Sequence, residues 1–307
     1  MNQKTEIRPG SLQAWIACVR PKTFGVALAP VLVGITLALS ETGSGKLLLG
    51  ILTIAFAVAV QALTNMENDV GYTKRKANRT NRKGLPRATN EGWLSVEEVD
   101  LAVKILGGVL VLISLALVAI GGWVVLAIGA ASVAAAYLYM GGPKPLAYTP
   151  WSELVVFIFF GLVAVNGTYY LQTGTVSLIS MIGGCACGSI GASVLIVNNW
   201  RDIQHDASVG RRTLAVLLGA RPYTMLYIGS LVLPFLLIAG IVVLFPQHFP
   251  YLLSLAAAPK VRNLVRGFRT EQGDDLNRVM FGTVGLEMLF ALLLSIGALL
   301  DAILHEL

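Results

Sequence analysis

The sequence predicts an all-α membrane protein in which residues 1–307 form a single domain of nine transmembrane helices. Three observations support this fold class. Of the 307 residues, 55% are apolar and only 13% are charged, which is about half the charged fraction of a soluble domain. The apolar residues form long blocks, most of them close to the ~20 residues that a helix needs to cross the hydrocarbon. The basic residues are concentrated in alternate gaps between these blocks.

Each predicted span is a run of apolar residues bounded by polar or charged ones. The eighth run is the weakest, because Pro259, Lys260 and Arg262 interrupt it. The segment 1–23 is polar and lacks the apolar stretch of a signal peptide. The nine predicted spans cover about residues 24–40, 47–66, 101–120, 123–140, 153–171, 177–198, 222–245, 249–265 and 281–304.

The distribution of basic residues predicts the orientation. All 23 Lys and Arg residues except Lys46 lie in or beside gaps on the side of the N-terminus. Basic loops stay in the cytoplasm, so we expect a cytoplasmic N-terminus in the inner membrane of a bacterium. Nine spans then place the C-terminus on the opposite side. The net charge of +6 follows from this topology, and we expect no nucleic-acid partner.

Amide and carboxylate side chains stand where the second and sixth spans meet the basic side. Asn65 and Asp69 are four residues apart, and Asn198, Asp202 and Asp206 repeat the same spacing. Residues four apart share one helix face, so each set directs its oxygens the same way. A straight helix separates the first and last residues of the longer set by ~12 Å. That distance favours a pair of Mg²⁺ ions, or one ion bound by a subset.

Two other interpretations of these acids stay open. In the first, the acids only cap the spans and pair with nearby arginines. In the second, His205 contributes to a zinc site, although oxygen-rich positions without a nearby Cys favour a hard ion.

Basic residues follow both sets of acids. A run of Lys and Arg occupies residues 74–87, and Arg211 and Arg212 follow the longer set. Carboxylates, Mg²⁺ and basic side chains together commonly bind a diphosphate group. The alternative for the run 74–87 is a loop that binds anionic membrane lipids.

Four stretches of the chain resemble a known family. They comprise residues 20–24 with 29–34, 65–69 with 84–87, 141–146 with 160–161 and 167–170, and 198–206 with 210–219. The chain resembles the UbiA superfamily of intramembrane prenyltransferases, and in particular its 1,4-dihydroxy-2-naphthoate branch. The stretch 198–219 is the most specific of the four.

The likeness implies a nine-helix bundle with Mg²⁺ as cofactor, and an isoprenoid diphosphate and an aromatic small molecule as substrates. In the naphthoate branch the ring loses its carboxylate as it gains the prenyl group. The implied metal ligands are Asn65, Asp69, Asn198, Asp202 and Asp206. The implied catalytic residues are Asp69, Asp202, Asp206, Lys144 and Tyr139. The implied diphosphate-binding cations are Arg20, Lys22, Lys74, Arg79, Arg87, Arg201, Arg211 and Arg212.

An allylic cation formed in such a reaction can be stabilised by the faces of aromatic rings. Each candidate ring is alternatively an interface or packing residue. The candidate rings are Tyr137, Tyr139, Tyr169 and Tyr170.

One departure from the family pattern concerns the first set of acids. The family has a second Asp three or four residues after the first, where this chain has Tyr72 and Thr73. The first metal site is therefore expected either to be weaker than the second or to be completed by substrate oxygens and water. Other aromatic acceptors, such as 4-hydroxybenzoate or homogentisate, stay open. So does a transporter or lipid-binding protein without catalysis, for which Glu287 in the last span would suit a permeation path.

Overall fold

Helices make up nearly all of the computed structural model, which describes residues 7–43, 45–74, 86–140 and 145–306. No strand occurs in these ranges. The α-helices are α1 Leu12–Val19, α2 Gly25–Thr42, α3 Leu47–Lys74, α4 Val96–Met140, α5 Ser152–Phe157, α6 Ala164–Thr173, α7 Leu178–Arg201, α8 Ile203–Ser208, α9 Leu214–Leu218, α10 Ala220–Leu244, α11 Pro259–Thr270 and α12 Leu276–Glu306. A π-helix, Ile158–Val163, joins α5 to α6.

Seven helical stretches of the described residues are long and apolar enough to cross a membrane. The predicted count of nine is therefore not reached. The predicted third and fourth spans fall within α4, which is 45 residues long and is broken at Gly122. Gly122 has φ 69° and ψ −159°, a conformation that glycine adopts without steric cost. This break coincides with the boundary that the sequence predicted between the spans 101–120 and 123–140.

The predicted eighth span, 249–265, is not confirmed as a continuous α-helix. The chain there forms a 3₁₀ segment, Pro246–Ala257, followed by the amphipathic helix α11. Phe268 of α11 is buried and its ring stacks on Tyr227 at 4.3 Å between centroids. Cations on the exposed face of α11 would be costly in hydrocarbon, so this helix has the character of one that lies at a membrane surface. These cations are Lys260, Arg262, Arg266 and Arg269.

Small residues allow α7 to approach the π-helix closely. A Cβ added at Gly161 would overlap the backbone of Gly184 and Gly188 in α7. Contacts of this kind between small residues are a common way for membrane helices to pack. They bring the π-helix against the middle of the bundle.

The two ends of the bundle differ in chemistry. The basic end is the end at which α3 and α7 finish, with Asp69 and Asp202. The far end is where α3 begins, after Lys46, and where α12 finishes. At the far end the buried carboxylate of Asp301 accepts hydrogen bonds from Ser40 Oγ and from His248 Nδ1, the latter at 2.8 Å. This network ties α2, the 3₁₀ segment and α12 together.

Candidate active site

Asp69, at the end of α3, is fully buried and anchors the segment that follows the basic run. Its Oδ2 accepts a hydrogen bond from Ala88 N at 2.9 Å, and its Oδ1 accepts bonds from Thr89 N, also at 2.9 Å, and from Thr89 Oγ1. Arg20 Nη2 lies 3.9 Å from Oδ2. The side chain therefore joins three parts of the chain at the basic end.

Arg20 is held in an unusual backbone conformation. Its φ of 56° makes it the one non-glycine residue with positive φ in the described part of the chain. Such conformations carry strain and occur often at functional sites. Here the strained residue ends α1 and brings its guanidinium beside Asp69.

At the end of α7, Arg201 binds Asp202 and Asn198 together. Its Nε and Nη2 donate to the two oxygens of Asp202 at 3.0 and 2.8 Å, and Nη2 also donates to Asn198 Oδ1 at 2.6 Å. Arg201 Nη1 reaches Asn277 Oδ1 of α12 at 2.6 Å. One turn beyond Asp202, the fully buried Asp206 accepts a bond from Arg211 Nη1 at 2.8 Å.

Tyr72 and Arg211 join the two sets of acids, and the place where they meet is called the junction below. The hydroxyl of Tyr72 accepts a hydrogen bond from Arg211 Nη1 at 2.6 Å, the same nitrogen that binds Asp206. Arg211 also donates from Nε and Nη2 to the carbonyl of Ala147, at 2.9 and 2.6 Å. On the other side, the guanidinium of Arg87 lies 3.6 Å from the centre of the Tyr72 ring. A cation–π contact and a charge-assisted hydrogen bond thus meet at one tyrosine.

The charge of Arg211 is well stabilised. Its burial alone would lower its pKa, but the neighbouring oxygens of Tyr72 and Asp206 reverse that effect, and the pKa is raised. Arg211 therefore remains a cation where the two sets of acids meet.

Three of the predicted residues have partners away from this junction. Asn65 Nδ2 donates to Val19 O at 2.7 Å and packs α3 against α1. Lys22 Nζ lies 5.9 Å from the centre of the Phe281 ring on α12. Lys74 is partly exposed and pairs with Asp100 at 2.6 Å. Their roles as ligands of metal or diphosphate stay predictions.

Of the remaining predicted basic residues, the structure describes Arg212 only. Arg212 is exposed beside Arg211, and its backbone N donates to Tyr148 O at 3.0 Å. Arg79 and Lys144 lie outside the described residues.

Of the four candidate tyrosines, only Tyr139 lies beside the junction, where it packs against Tyr72 and Ala147. The side chain of Tyr137 is 58% exposed. Tyr170 packs against the apolar cluster that contains Leu49, at the start of α3, and Tyr169 is its neighbour in the chain. Their role as cation-stabilising rings stays a prediction.

Sequence reasoning missed Asn68 and Glu153. Asn68 directly precedes Asp69, its carbonyl accepts from Arg87 Nη1 at 2.7 Å, and its Oδ1 is buried without a partner among the described residues. Glu153 accepts hydrogen bonds from Asn199 and Tyr223 at 2.9 and 2.7 Å. The available signal in the sequence was the position of Glu153, an acid in the first turn of an apolar span.

The chemistry of the second set of acids fits a hard divalent ion. Asp202, Asp206 and Asn198 offer carboxylate and amide oxygens, which Mg²⁺ prefers. Arg201 and Arg211 donate hydrogen bonds to these oxygens. No group of three His, Cys, Asp or Glu side chains with metal-binding geometry occurs in the described ranges. Asp69 fits less well, because its oxygens already accept three hydrogen bonds.

Comparison with known proteins identifies the family. The model of the UbiA prenyltransferase family matches residues 27–294. The chain belongs to this family. Among its relatives is the 1,4-dihydroxy-2-naphthoate octaprenyltransferase of Mycobacterium tuberculosis, which is 35% identical over 94% of this chain and 97% of that protein. The Escherichia coli protein of the same name is 35% identical over 74% of this chain and 77% of its own length.

Solved structures agree with the fold. A UbiA homolog from Archaeoglobus fulgidus bound to GPP and Mg²⁺ has a TM-score of 0.65 at 14% identity, covering 92% of this chain and 99% of that one. The apo structure of a homolog from Aeropyrum pernix has the same TM-score over 92% and 98% of the two chains. This UbiA member is thus an integral membrane prenyltransferase built on the fold of those enzymes.

Proposed function

We propose that this protein transfers a prenyl group from an isoprenoid diphosphate to 1,4-dihydroxy-2-naphthoate, with loss of the ring carboxylate. Its place would be the biosynthesis of menaquinone or phylloquinone. The observation that carries the proposal is the junction at the basic end, where Tyr72 and Arg211 bring the two sets of acids together. The acceptor is suggested by relatives named for that substrate.

Three arginines at the basic end would bind the diphosphate. Arg87 and Arg211 flank Tyr72, and Arg20 lies beside Asp69. Guanidinium groups bind phosphate oxygens through paired hydrogen bonds. Because all three are anchored by protein contacts, little reorganisation is needed when a diphosphate arrives, and they stabilise charge as it leaves.

Asp202, Asp206 and Asn198 would hold Mg²⁺, with Asp69 as the acid of the first set. When bound, this ion neutralises charge on the departing diphosphate. Arg201 compensates the charge of the buried Asp202 and donates a hydrogen bond to Asn198, since an unpaired buried carboxylate is costly. Asp69 keeps the 88–89 segment folded over the junction.

The apolar bundle below the junction accommodates the isoprenoid tail and excludes water from the allylic cation. Tyr139 offers a ring near the reacting carbon. Attack by the electron-rich naphthoate ring then forms the carbon–carbon bond, and the ring carboxylate leaves as CO₂. The basic end would face the cytoplasm of a bacterium, since basic loops stay on that side.

The test is a mass-spectrometric assay of purified protein with prenyl diphosphates and three acceptors. These are 1,4-dihydroxy-2-naphthoate, 4-hydroxybenzoate and homogentisate. We expect a prenylated product only from the naphthoate, with a mass that reflects loss of CO₂. Exclusive prenylation of either other acid would contradict the assignment of the acceptor, and no product from any acid would contradict the activity.

A further inference from the structure

Glu287, in the middle of α12, is a buried acid without a partner. Its side chain is 0% exposed, and neither carboxyl oxygen has a hydrogen-bond partner among the described residues. The buried acids Glu153 and Asp301, by contrast, each accept hydrogen bonds from neighbouring side chains. A buried polar group without a partner destabilises a protein. An ionisable group at membrane depth commonly has a function that offsets this cost.

The carboxyl group lies between four elements of the bundle. A Cβ built on Gly191 of α7 would be 3.3 Å from Glu287 Oε1, 3.7 Å from Phe160 of the π-helix and 3.9 Å from Val26 of α2. The absence of a side chain at Gly191 leaves the space that the carboxyl group uses. π-Helices in membrane and soluble proteins often mark functional sites, and this one borders the same space.

The depth of Glu287 follows from helix geometry. Helices α7 and α12 run in opposite directions, because Arg201 contacts Asn277 at one level and Gly191 lies beside Glu287 at another. Seven residues separate Gly191 from Asn198, which corresponds to about 10 Å along the helix. Glu287 therefore lies below the proposed diphosphate site by a distance comparable to the length of a bicyclic aromatic acid.

The two substrates of the proposed function differ in what they can offer this carboxyl group. The diphosphate is held at the basic end, and the isoprenoid chain is a hydrocarbon without hydrogen-bonding atoms. Only the aromatic acceptor carries oxygens that can enter the bundle. Because no ion pair with Glu287 occurs among the described residues, burial favours the uncharged form of the carboxyl group. It is thus a neutral hydrogen-bond donor.

We propose, on the basis of the proposed function, that Glu287 binds the aromatic acceptor by donating a hydrogen bond to an oxygen on its ring. The contact orients the ring so that its nucleophilic carbon faces the prenyl group. Glu287 is a substrate-contacting residue in this scheme, and no proton is transferred from it.

Steady-state kinetics of three variants test the role. Glu287→Leu keeps the volume and removes the donor, so the KM for 1,4-dihydroxy-2-naphthoate should rise about tenfold, the factor that one hydrogen bond in a dry site contributes. The KM for the prenyl diphosphate should not change. Glu287→Gln keeps a neutral donor and should remain within about threefold of wild type. Ser295→Ala, further along α12 and hydrogen-bonded to Thr36, is the matched control and should leave the KM for the acceptor unchanged.

Thermal unfolding of the same variants separates binding from structure. Because Glu287 has no hydrogen-bond partner to lose in the described part of the chain, Glu287→Leu should unfold at the wild-type temperature or higher. A wild-type KM for the acceptor in Glu287→Leu would overturn the inference, as would a fall in stability with no selective change in that KM. If the wild type prenylates a different aromatic acid, the proposed function fails. The KM values of wild type and Glu287→Leu for that acid then decide the role of Glu287. Failure of the wild type to prenylate any aromatic acid would overturn both.

Discussion

Tyr72 illustrates what a single residue adds to this site. It stands where the family pattern has a second acid, and its ring and hydroxyl contact two arginines, Arg87 and Arg211. The departure itself is visible in the sequence. The partners are not, because Arg211 is 139 positions away along the chain, and nothing local predicts that contact.

Tyr72→Phe should weaken binding of the prenyl diphosphate. The substitution removes the hydroxyl that accepts from Arg211 and retains the ring beneath Arg87, so we expect a three- to tenfold rise in KM for the diphosphate, in line with one charge-assisted hydrogen bond. Initial rates at saturating acceptor measure this change. Tyr137→Phe is the control, because Tyr137 is largely exposed on α4. Equal effects of the two substitutions would remove Tyr72 from the site.

The predicted metal ligands also show that the sequence does not reveal which residues contact one another. The four-residue spacing predicted that Asn65 and Asp69 lie on one helix face, and both lie within the α-helix α3. Yet Asn65 donates to Val19 O, whereas Asn68, outside that spacing, contacts Arg87 through its carbonyl. Periodicity identifies a helix face but not the neighbour that packs against it.

Among the elements, long apolar helices were predicted well because a membrane span needs a long apolar run. The break in α4 at Gly122 lies at the predicted boundary between the spans 101–120 and 123–140. The amphipathic character of α11 was not predicted, because it appears only when its cations are placed on a helix. Hydropathy averages over a window and so hides it.

The close contact between α7 and the π-helix predicts a contrast between two glycines. Gly161→Ala should destabilise the protein by about 1–3 kcal/mol, since the added methyl group would overlap the backbone of α7. Gly229→Ala in α10 is the control, because its Cβ would meet no atom within 4 Å and alanine favours helix. Thermal unfolding in detergent measures both. Equal stability of the two variants would mean that the helices are further apart than described.

Across the whole molecule, the two ends carry different chemistry. Cations and paired acids gather at the basic end, and the network around Asp301 closes the far end. The asymmetry of charge was evident from the sequence, because Lys46 is the one basic residue predicted at the far end. The pairing of acids with arginines required the fold.

This asymmetry predicts the orientation in the membrane. In a cysteine-free background, Lys46→Cys should react with a membrane-impermeant maleimide added to intact cells. Asn263→Cys, on the exposed side of α11, should react only after the cells are permeabilised. Labelling of both positions from outside, or the reverse pattern, would contradict the proposed topology.

In the proposed mechanism, acids and arginines at the basic end, together with Mg²⁺, release the diphosphate. A Mg²⁺ titration of prenyl transfer tests this mechanism, with wild type, Asp202→Asn, Asp206→Asn and Asp69→Asn compared in the same assay. Activity of the wild type should disappear in excess EDTA and return with Mg²⁺. Each variant should lose at least about a hundredfold in rate, because losing one carboxylate removes several kcal/mol of transition-state stabilisation. Undiminished transfer in excess EDTA, or a wild-type rate in Asp202→Asn and Asp206→Asn, would contradict the account.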